Sequence, residues 1–166
     1  VIIRPFNSFG PNITQPYIIP EIIGQMLKGK NEITLGNIHS KRDLTFVSDT
    51  ARGIILPLIT DGVVGETINI GSERAVTIKD LVKIISELMS KNVQIKIDPS
   101  RFRPHDVDSL ICDYGRANRL LGWKPEVSIK DGLKTTIKWM TNNKVEFKAS
   151  FKGWSSSYRK DRNGPA

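Results

Sequence analysis

The chain has 166 residues, of which 39% are hydrophobic, and carries a formal net charge of +8. These numbers allow one medium-sized domain with a buried core and exclude two substantial domains. No apolar run approaches the roughly 18 residues of a membrane-spanning helix, so we expect a soluble chain without a membrane partner. The single cysteine, Cys112, excludes an internal disulfide and fits a reducing compartment, for which we expect the cytoplasm.

The first half of the chain predicts alternating strands and helices. The apolar run Val1-Ile2-Ile3 is typical of a buried strand, and a turn-rich loop over residues 4–12 follows it. Helical spacing of apolar residues predicts a helix over 16–28, and a short strand is expected at 33–35. Asp49 is then placed to N-cap an apolar helix that runs through Leu58.

The second half continues in the same mixed order. Two capping boxes each predict the start of a helix, Thr77 with Asp80 and Ser128 with Asp131. Periodicity alone predicts the other elements: a buried strand at 67–70, a half-buried strand at 93–97 and a short helix at 114–121. Mixed helices and short strands without internal repeats indicate an α/β fold.

The C-terminal end differs in composition from the rest of the chain. From Lys144 onward there are six basic and two acidic residues, a net charge of +4. The apolar periodicity stops near Phe147, and serine, glycine and proline then give a composition typical of disorder. We therefore predict one folded unit over residues 1–143 and a basic, flexible tail over 144–166.

Three polar segments are candidates for function: residues 4–7, 40–43 and 101–106. Each places an arginine or asparagine in or beside a loop of the apolar scaffold. Taken singly, an arginine is most often a solvated surface charge, so the residues leave open whether these segments converge. The two histidines, His39 and His105, are too isolated to indicate a metal site.

Five motifs occur in order along the chain: RPFNSFGP at 4–11, KRDLTFVSD at 41–49, GETINIG at 65–71, Arg103-Pro104, and LLGWKP at 120–125. Together they resemble the extended short-chain dehydrogenase/reductase family, and most closely the C-terminal half of its NAD-dependent sugar-nucleotide 4,6-dehydratases and 4-epimerases. The resemblance covers about residues 1–143. Within the family, the segment GNIHSKRDL at 36–44 is similar to dehydratases acting on nucleotide-linked N-acetylglucosamine in legionaminic-acid synthesis.

The resemblance implies the C-terminal, substrate-binding part of an extended Rossmann-type fold, with residues 1–12 forming the last part of the Rossmann sheet and its loop. Family members also carry a glycine-rich dinucleotide loop and a Tyr-x-x-x-Lys catalytic pair, and neither occurs here. We therefore expect that the N-terminal Rossmann half is missing, that the chain has no catalytic residue, and that it binds no NAD by itself. The full-length enzyme, a lyase or an isomerase, would bind NAD and form a homodimer.

The resemblance also implies roles for individual residues. Asn7, Arg42 and Arg103 would hold the diphosphate of a nucleotide diphosphate-sugar. Pro5 and Phe6 would lie against the nicotinamide end of the cofactor. These implied contacts concern substrate and cofactor binding and leave the chemistry to the other half.

Weaker correspondences extend the predicted site. Four residues match the nucleoside pocket by position, and one matches a ribose contact: Tyr17, Ile18, Leu35 and Asn69, with Asp106 at the ribose. Leu35 stands where some relatives stack an aromatic ring on the base, and His105 replaces a glycine common after Arg-Pro. Asp43 and Asp49 are expected to be structural, bracing Arg42 and capping a helix.

Three other functions stay open at this point. A 4-epimerase would share the same motifs as a dehydratase. A nucleic-acid-binding module is motivated by the charge and by Trp154 and Tyr158 among basic residues, although no recognition motif is present. A non-catalytic sugar-nucleotide-binding module would need only this half.

Overall fold

The computed structural model describes residues 1–13, 17–29, 31–102 and 106–143. In these ranges the strands are β1 (Ile2–Pro5), β2 (Asn7–Phe9), β3 (Glu32–Leu35), β4 (Lys41–Phe46), β5 (Thr67–Ile70), β6 (Ala75–Thr77), β7 (Gln94–Ile97) and β8 (Ser109–Leu110). The helices are α1 (Ile18–Leu27), α2 (Val47–Ile55), α3 (Ile78–Leu88), α4 (Gly115–Leu121) and α5 (Ile129–Asn142), with 3₁₀ turns at Leu56–Leu58 and Pro99–Arg101.

The strands of the described residues form three small sheets, and β4 is the centre of the largest. β4 pairs in parallel with β2 along Leu44–Phe46 and with β8 at Lys41 and Arg42. β6 runs antiparallel along its other edge. The remaining sheets are the parallel pairs β1–β5 and β3–β7. Segments that are far apart in sequence therefore meet beside the strand that carries Arg42.

Two apolar clusters hold these sheets. In the larger one, α1, α3 and α5 pack together, and Ile22, Ile23 and Met26 of α1 have no exposed surface. Burying each such side chain contributes about 1.5 to 3 kcal/mol. In the smaller cluster, α4 covers Ile68 of β5 together with the fully buried Trp123. Both clusters use the apolar periodicity that is visible in the sequence.

Both capping boxes predicted from the sequence are confirmed. The backbone N–H of Asp80 donates to the Thr77 hydroxyl (3.0 Å), and that of Asp131 donates to the Ser128 hydroxyl (3.1 Å). In the second box, the hydrogen bond from Ser128, followed by that from Lys134, lowers the pKa of the Asp131 carboxyl. The strands at 33–35, 67–70 and 93–97 and the helices at 16–28 and 114–121 are also found, with ends shifted by one or two residues.

Three local expectations are wrong. The loop predicted over residues 4–12 contains the end of β1 and the whole of β2, because these strands pair with β5 and β4, partners that local sequence does not reveal. The run Val1-Ile2-Ile3 is not buried as expected, since Val1 and Ile2 are 48% and 59% exposed. Asp49 does not cap α2, which begins two residues earlier at Val47. Its buried carboxylate instead accepts hydrogen bonds from Arg52 and from the backbone of Glu126 and Val127.

The outer edge of β1 is apolar and exposed in the described part of the chain. Ile2 is 59% exposed, and Val1 beside it is 48% exposed. Residues Ile54, Ile55, Leu58 and Ile59 form a second exposed apolar stretch on α2 and the turn after it. No described helix has both the length and the apolar character needed to cross a bilayer. An exposed edge strand with apolar side chains is a template for pairing with another chain.

We expect the 166-residue chain to self-associate through this edge, with a sedimentation coefficient that rises with concentration. The change Ile2→Lys should reduce association, because a charged residue on an edge strand opposes pairing. Val64→Lys, in a turn where the side chain is 94% exposed, serves as the control and should have little effect. A concentration-independent monomer in which the amides of residues 1–3 are protected from exchange would contradict this expectation.

Candidate functional site

The break between β1 and β2 forms one wall of a cavity of about 300 Å³, which is lined by Pro5, Phe6, Asn7 and Leu110. The cavity lies where parallel strands end, the position at which α/β sheets commonly bind ligands. Leu110 reaches it because β8 and β2 pair with successive parts of β4. The three consecutive residues that the resemblance assigned to the site, Pro5, Phe6 and Asn7, therefore line one cavity.

Arg42 lies opposite Leu110 in the register of β4 and β8, and its guanidinium is held in one orientation. Nη1 donates to the carbonyl oxygens of Lys41 (2.8 Å) and Val107 (2.7 Å), and Nη2 donates to Oδ1 of Asp106 (2.6 Å). A guanidinium has five N–H donors, so Nε–H and one hydrogen of Nη2 have no partner among the described residues. The group is thus oriented and keeps two donors for a ligand.

Asp106 braces Arg42, the role that the sequence analysis gave to Asp43. The two side chains are 19% and 17% exposed, so this ion pair is only partly open to water. The other carboxylate oxygen of Asp106 accepts a hydrogen bond from Nδ2 of Asn37 (3.3 Å), in the loop after β3. The ribose contact expected of Asp106 stays a prediction, and the carboxylate already has a structural partner on each oxygen.

Asp43 is completely buried and has a different structural role from the expected one. Its carboxylate accepts four hydrogen bonds: two from the N–H and hydroxyl of Ser72, one from Glu73 N–H and one from Cys112 N–H, at 2.6 to 3.0 Å. It thereby ties the loop after β5 and the segment before α4 to β4. Its backbone oxygen also accepts from Nδ2 of Asn7 (3.3 Å).

The junction around Asp43 leaves no room for a side chain at Gly71. A Cβ there would lie 2.2 Å from Cβ of Cys112, closer than real contacts allow. Cys112 is 2% exposed, as the sequence predicted for a small buried hydrophobe. Burial, and then the charge of Asp43, raise the pKa of its thiol to about 12. The thiol therefore stays protonated at neutral pH, which is the inert state of a cysteine.

The predicted nucleoside residues lie in two places. Tyr17 is 58% exposed just before α1, Ile18 is half-buried, and Leu35 is 2% exposed at the end of β3, which packs against α1. Asn69 lies elsewhere, in a polar cavity of about 410 Å³ that is also lined by Arg4, Thr67, Asp113, Arg116 and Arg119. The structure thus groups the first three and separates Asn69 from them.

Several predicted features lie outside the described residues. They include Arg103 and His105, and the tail over 144–166 with Trp154 and Tyr158. The convergence of Arg42 and Arg103 on one diphosphate therefore stays a prediction.

Three contributors to the site were not predicted: Asn37, the carbonyl of Val107, and Leu110. Asn37 carries a local signal, because its Oδ1 accepts from the N–H of His39 (3.0 Å) in a turn that asparagine favours. Leu110 has no such signal, because β8 is a two-residue strand that exists only through its pairing with β4.

The parallel pairs β1–β5 and β2–β4, with helices in the connections between the strands, define an α/β protein of the Rossmann type. The family model described as GDP-mannose 4,6 dehydratase matches residues 1–136. The chain therefore belongs to the extended short-chain dehydrogenase/reductase family of NAD-dependent sugar-nucleotide epimerases and dehydratases.

Individual relatives include both kinds of enzyme. The chain is 33% identical to a dTDP-glucose 4,6-dehydratase of Neisseria meningitidis, over 95% of this chain and 46% of the relative. It is 32% identical to a UDP-glucuronate 4-epimerase of Thermodesulfobacterium geofontis, over 86% of this chain and 43% of the relative. The chain spans less than half the length of these relatives.

Solved structures agree with this assignment. The UDP-glucuronic acid 4-epimerase of Bacillus cereus, in complex with UDP-glucuronic acid and NAD, superposes with a TM-score of 0.79 at 29% identity. The match covers 86% of this chain and 45% of that one. MoeE5 in complex with UDP-glucuronic acid and NAD gives a TM-score of 0.77 at 27% identity, over 85% and 46%.

The residues of this chain do not fit a complete dinucleotide site. None of the 13 glycines stands two positions from another, so the sequence has no G-x-G phosphate loop, and no tyrosine is followed four residues later by lysine. Pro5 and Phe6 line a cavity but supply no side-chain donor for a diphosphate. These residues can at most flank a bound cofactor.

Proposed function

We propose that this chain binds the diphosphate of a nucleotide diphosphate-sugar within an NAD-dependent sugar-nucleotide 4,6-dehydratase. The observation that carries the proposal is the orientation of Arg42, whose guanidinium is held by Asp106 and Val107 and keeps two donors without a partner among the described residues. A diphosphate removed from water needs charged donors in fixed positions. Asn7, across the strand register from β4, adds a neutral donor near the same end of the sheet.

The division of labour follows from what the chain contains. It supplies binding energy and orientation, whereas hydride and proton transfer need the dinucleotide loop and the Tyr/Lys pair that its sequence lacks. We propose that a preceding Rossmann half provides both, with NAD as the cofactor, and that the complete enzyme is a homodimer. The exposed edge of β1 is consistent with a sheet that continues beyond this strand.

Two finer assignments belong to the same proposal. Dehydration is supported by the family description and by the dehydratase that matches 95% of the chain. A 4-epimerase is the second candidate, favoured by the B. cereus enzyme with its TM-score of 0.79. The assignment of an N-acetylglucosamine nucleotide as the substrate rests on the amino-acid sequence of residues 36–44 and needs a direct test.

Calorimetric titration of the 166-residue chain with UDP, GDP, dTDP and NAD tests the proposal. At least one nucleoside diphosphate should bind saturably, and NAD should show no saturable binding in the micromolar range. The NAD result is expected because the chain lacks the glycine-rich loop whose backbone holds the pyrophosphate. Saturable micromolar NAD binding, or no response to any nucleoside diphosphate at millimolar concentration, would contradict the proposal.

A further inference from the structure

A partly buried ion pair, with Arg101 24% exposed and Glu21 buried, connects the first helix to the turn after β7. Glu21 of α1 is only 6% exposed, and its Oε1 accepts from Nη1 of Arg101 (3.1 Å) and from Nε2 of Gln25 (2.8 Å). Arg101 also lies 3.7 Å from Asp98. Buried charges are costly to desolvate, by several kcal/mol each, so such a pair is weak evidence for stability alone.

The same side chains fix the backbone of β3. The carbonyl of Thr34 accepts from Nη1 of Arg101 (3.0 Å) and Nε2 of Gln25 (3.0 Å), while its N–H donates to Oε1 of Gln25 (2.8 Å). A Cβ on Gly36 would lie 2.7 Å from the Arg101 carbonyl oxygen, so the turn packs directly on the loop after β3. One polar network thus fixes α1, β3 and the turn at Pro99–Arg101 relative to each other.

Two parts of this network, on α1 and β3, adjoin residues of the predicted nucleoside pocket. Glu21 lies one helical turn after Tyr17, and its N–H donates to the Tyr17 carbonyl (3.0 Å). Thr34, whose backbone the network holds, directly precedes Leu35 in β3. The network joins the elements that adjoin Tyr17 and carry Leu35, and none of the hydrogen bonds of Arg42 to described residues is with a member of it.

We propose that Glu21 and Arg101 are positioning residues for the nucleoside part of the ligand. They act through Tyr17, immediately before α1, and Leu35 of β3, without touching the ligand themselves. This inference rests on the proposed function, and it separates that site into two parts: Arg42 holds the diphosphate, and the Glu21–Arg101 pair sets the wall against the nucleoside. Disturbing the pair should therefore weaken nucleoside recognition and leave diphosphate recognition intact.

The test measures the Kd of two kinds of ligand on the 166-residue chain. The first kind is the nucleoside diphosphates UDP, GDP and dTDP, and the second is inorganic pyrophosphate. In Arg101→Gln, the Kd of the nucleoside diphosphate that binds best should rise roughly 10-fold, equivalent to about 1.4 kcal/mol. The Kd of pyrophosphate should stay within about twofold of the original value, since Arg42 is oriented by Asp106 and Val107, outside the network. Arg101→Lys should restore part of the loss, because it keeps the charge and loses the planar fork.

A matched control and a second variant keep the result interpretable. Lys96→Gln breaks an exposed ion pair with Glu32 (3.8 Å) between β3 and β7, and it should change neither Kd. If Arg101→Gln does not fold, Glu21→Gln removes the charge but keeps an acceptor and should show the same selective loss at smaller size. Parallel weakening of pyrophosphate and nucleoside diphosphate, or no change in either, overturns the inference. If the original chain binds no nucleoside diphosphate, the proposed function fails first, and the inference fails with it.

Discussion

Replacing Arg42 by alanine is expected to weaken the binding of nucleoside diphosphates and their sugars roughly 10- to 100-fold. A charge-assisted hydrogen bond is worth about 1.5 to 3 kcal/mol, and the oriented guanidinium has two donors to offer. Calorimetry on the chain, or on the complete enzyme, measures the change in Kd. Arg42→Lys should recover only part of the affinity, because lysine keeps the charge without the two-bond geometry.

Controls for Arg42 come from the same chain. Arg74→Ala removes an exposed arginine just before β6 and should leave the affinity unchanged. If the two arginines bind one diphosphate, Arg103→Ala should cause a loss of affinity similar to that of Arg42→Ala. Asn7→Ala should cause a smaller loss of binding free energy, about 1 kcal/mol, which is typical of a neutral hydrogen bond. Unchanged affinity in both arginine variants of the complete enzyme would remove the site assignment.

Replacing Asp43 by alanine is expected to lower the free energy of unfolding by about 3 to 5 kcal/mol, because several donors lose their acceptor and each buried, unsatisfied donor costs about 1 to 3 kcal/mol. The carboxylate has no exposed surface, and its loss leaves the N–H groups of Ser72, Glu73 and Cys112 without their acceptor. Urea unfolding followed by circular dichroism gives the difference between the two proteins.

A cap of ordinary strength provides the comparison for Asp43. Thr77→Ala removes the hydroxyl that accepts from Asp80 N–H at the start of α3 and should cost about 1 kcal/mol. If Asp43→Ala costs no more than this cap, the carboxylate does not hold the three segments together, and they are instead fixed by the surrounding apolar packing.

Local features of this protein followed from the sequence because their causes lie within a few residues. The capping boxes at Thr77 and Ser128 need only a hydroxyl and a backbone N–H three positions later. The helices and the longer strands follow from the spacing of apolar residues along their buried faces. The motif order between residues 4 and 125 was enough to identify the family, which the match over residues 1–136 confirms.

The partners of each side chain were decided by tertiary structure. The sequence suggested that Asp43 braces its neighbour Arg42, but adjacent residues on a strand point to opposite faces. Asp43 consequently points into the interior toward Ser72 and Cys112, while Arg42 meets Asp106, 64 positions away. Such pairings depend on which strands lie beside β4.

By itself, then, the sequence determined the family, the apolar faces of the helices and strands, and, through the family resemblance, the residues expected to bind a diphosphate. The three-dimensional packing decided that Arg42 is oriented by Asp106, that Asn69 lies in a cavity away from Tyr17 and Leu35, and that Glu21 meets Arg101 across 80 positions. The physical reason is that periodicity and capping are short-range properties. Burial of a charge beside its partner depends on strand register and helix packing, which only the folded chain as a whole determines.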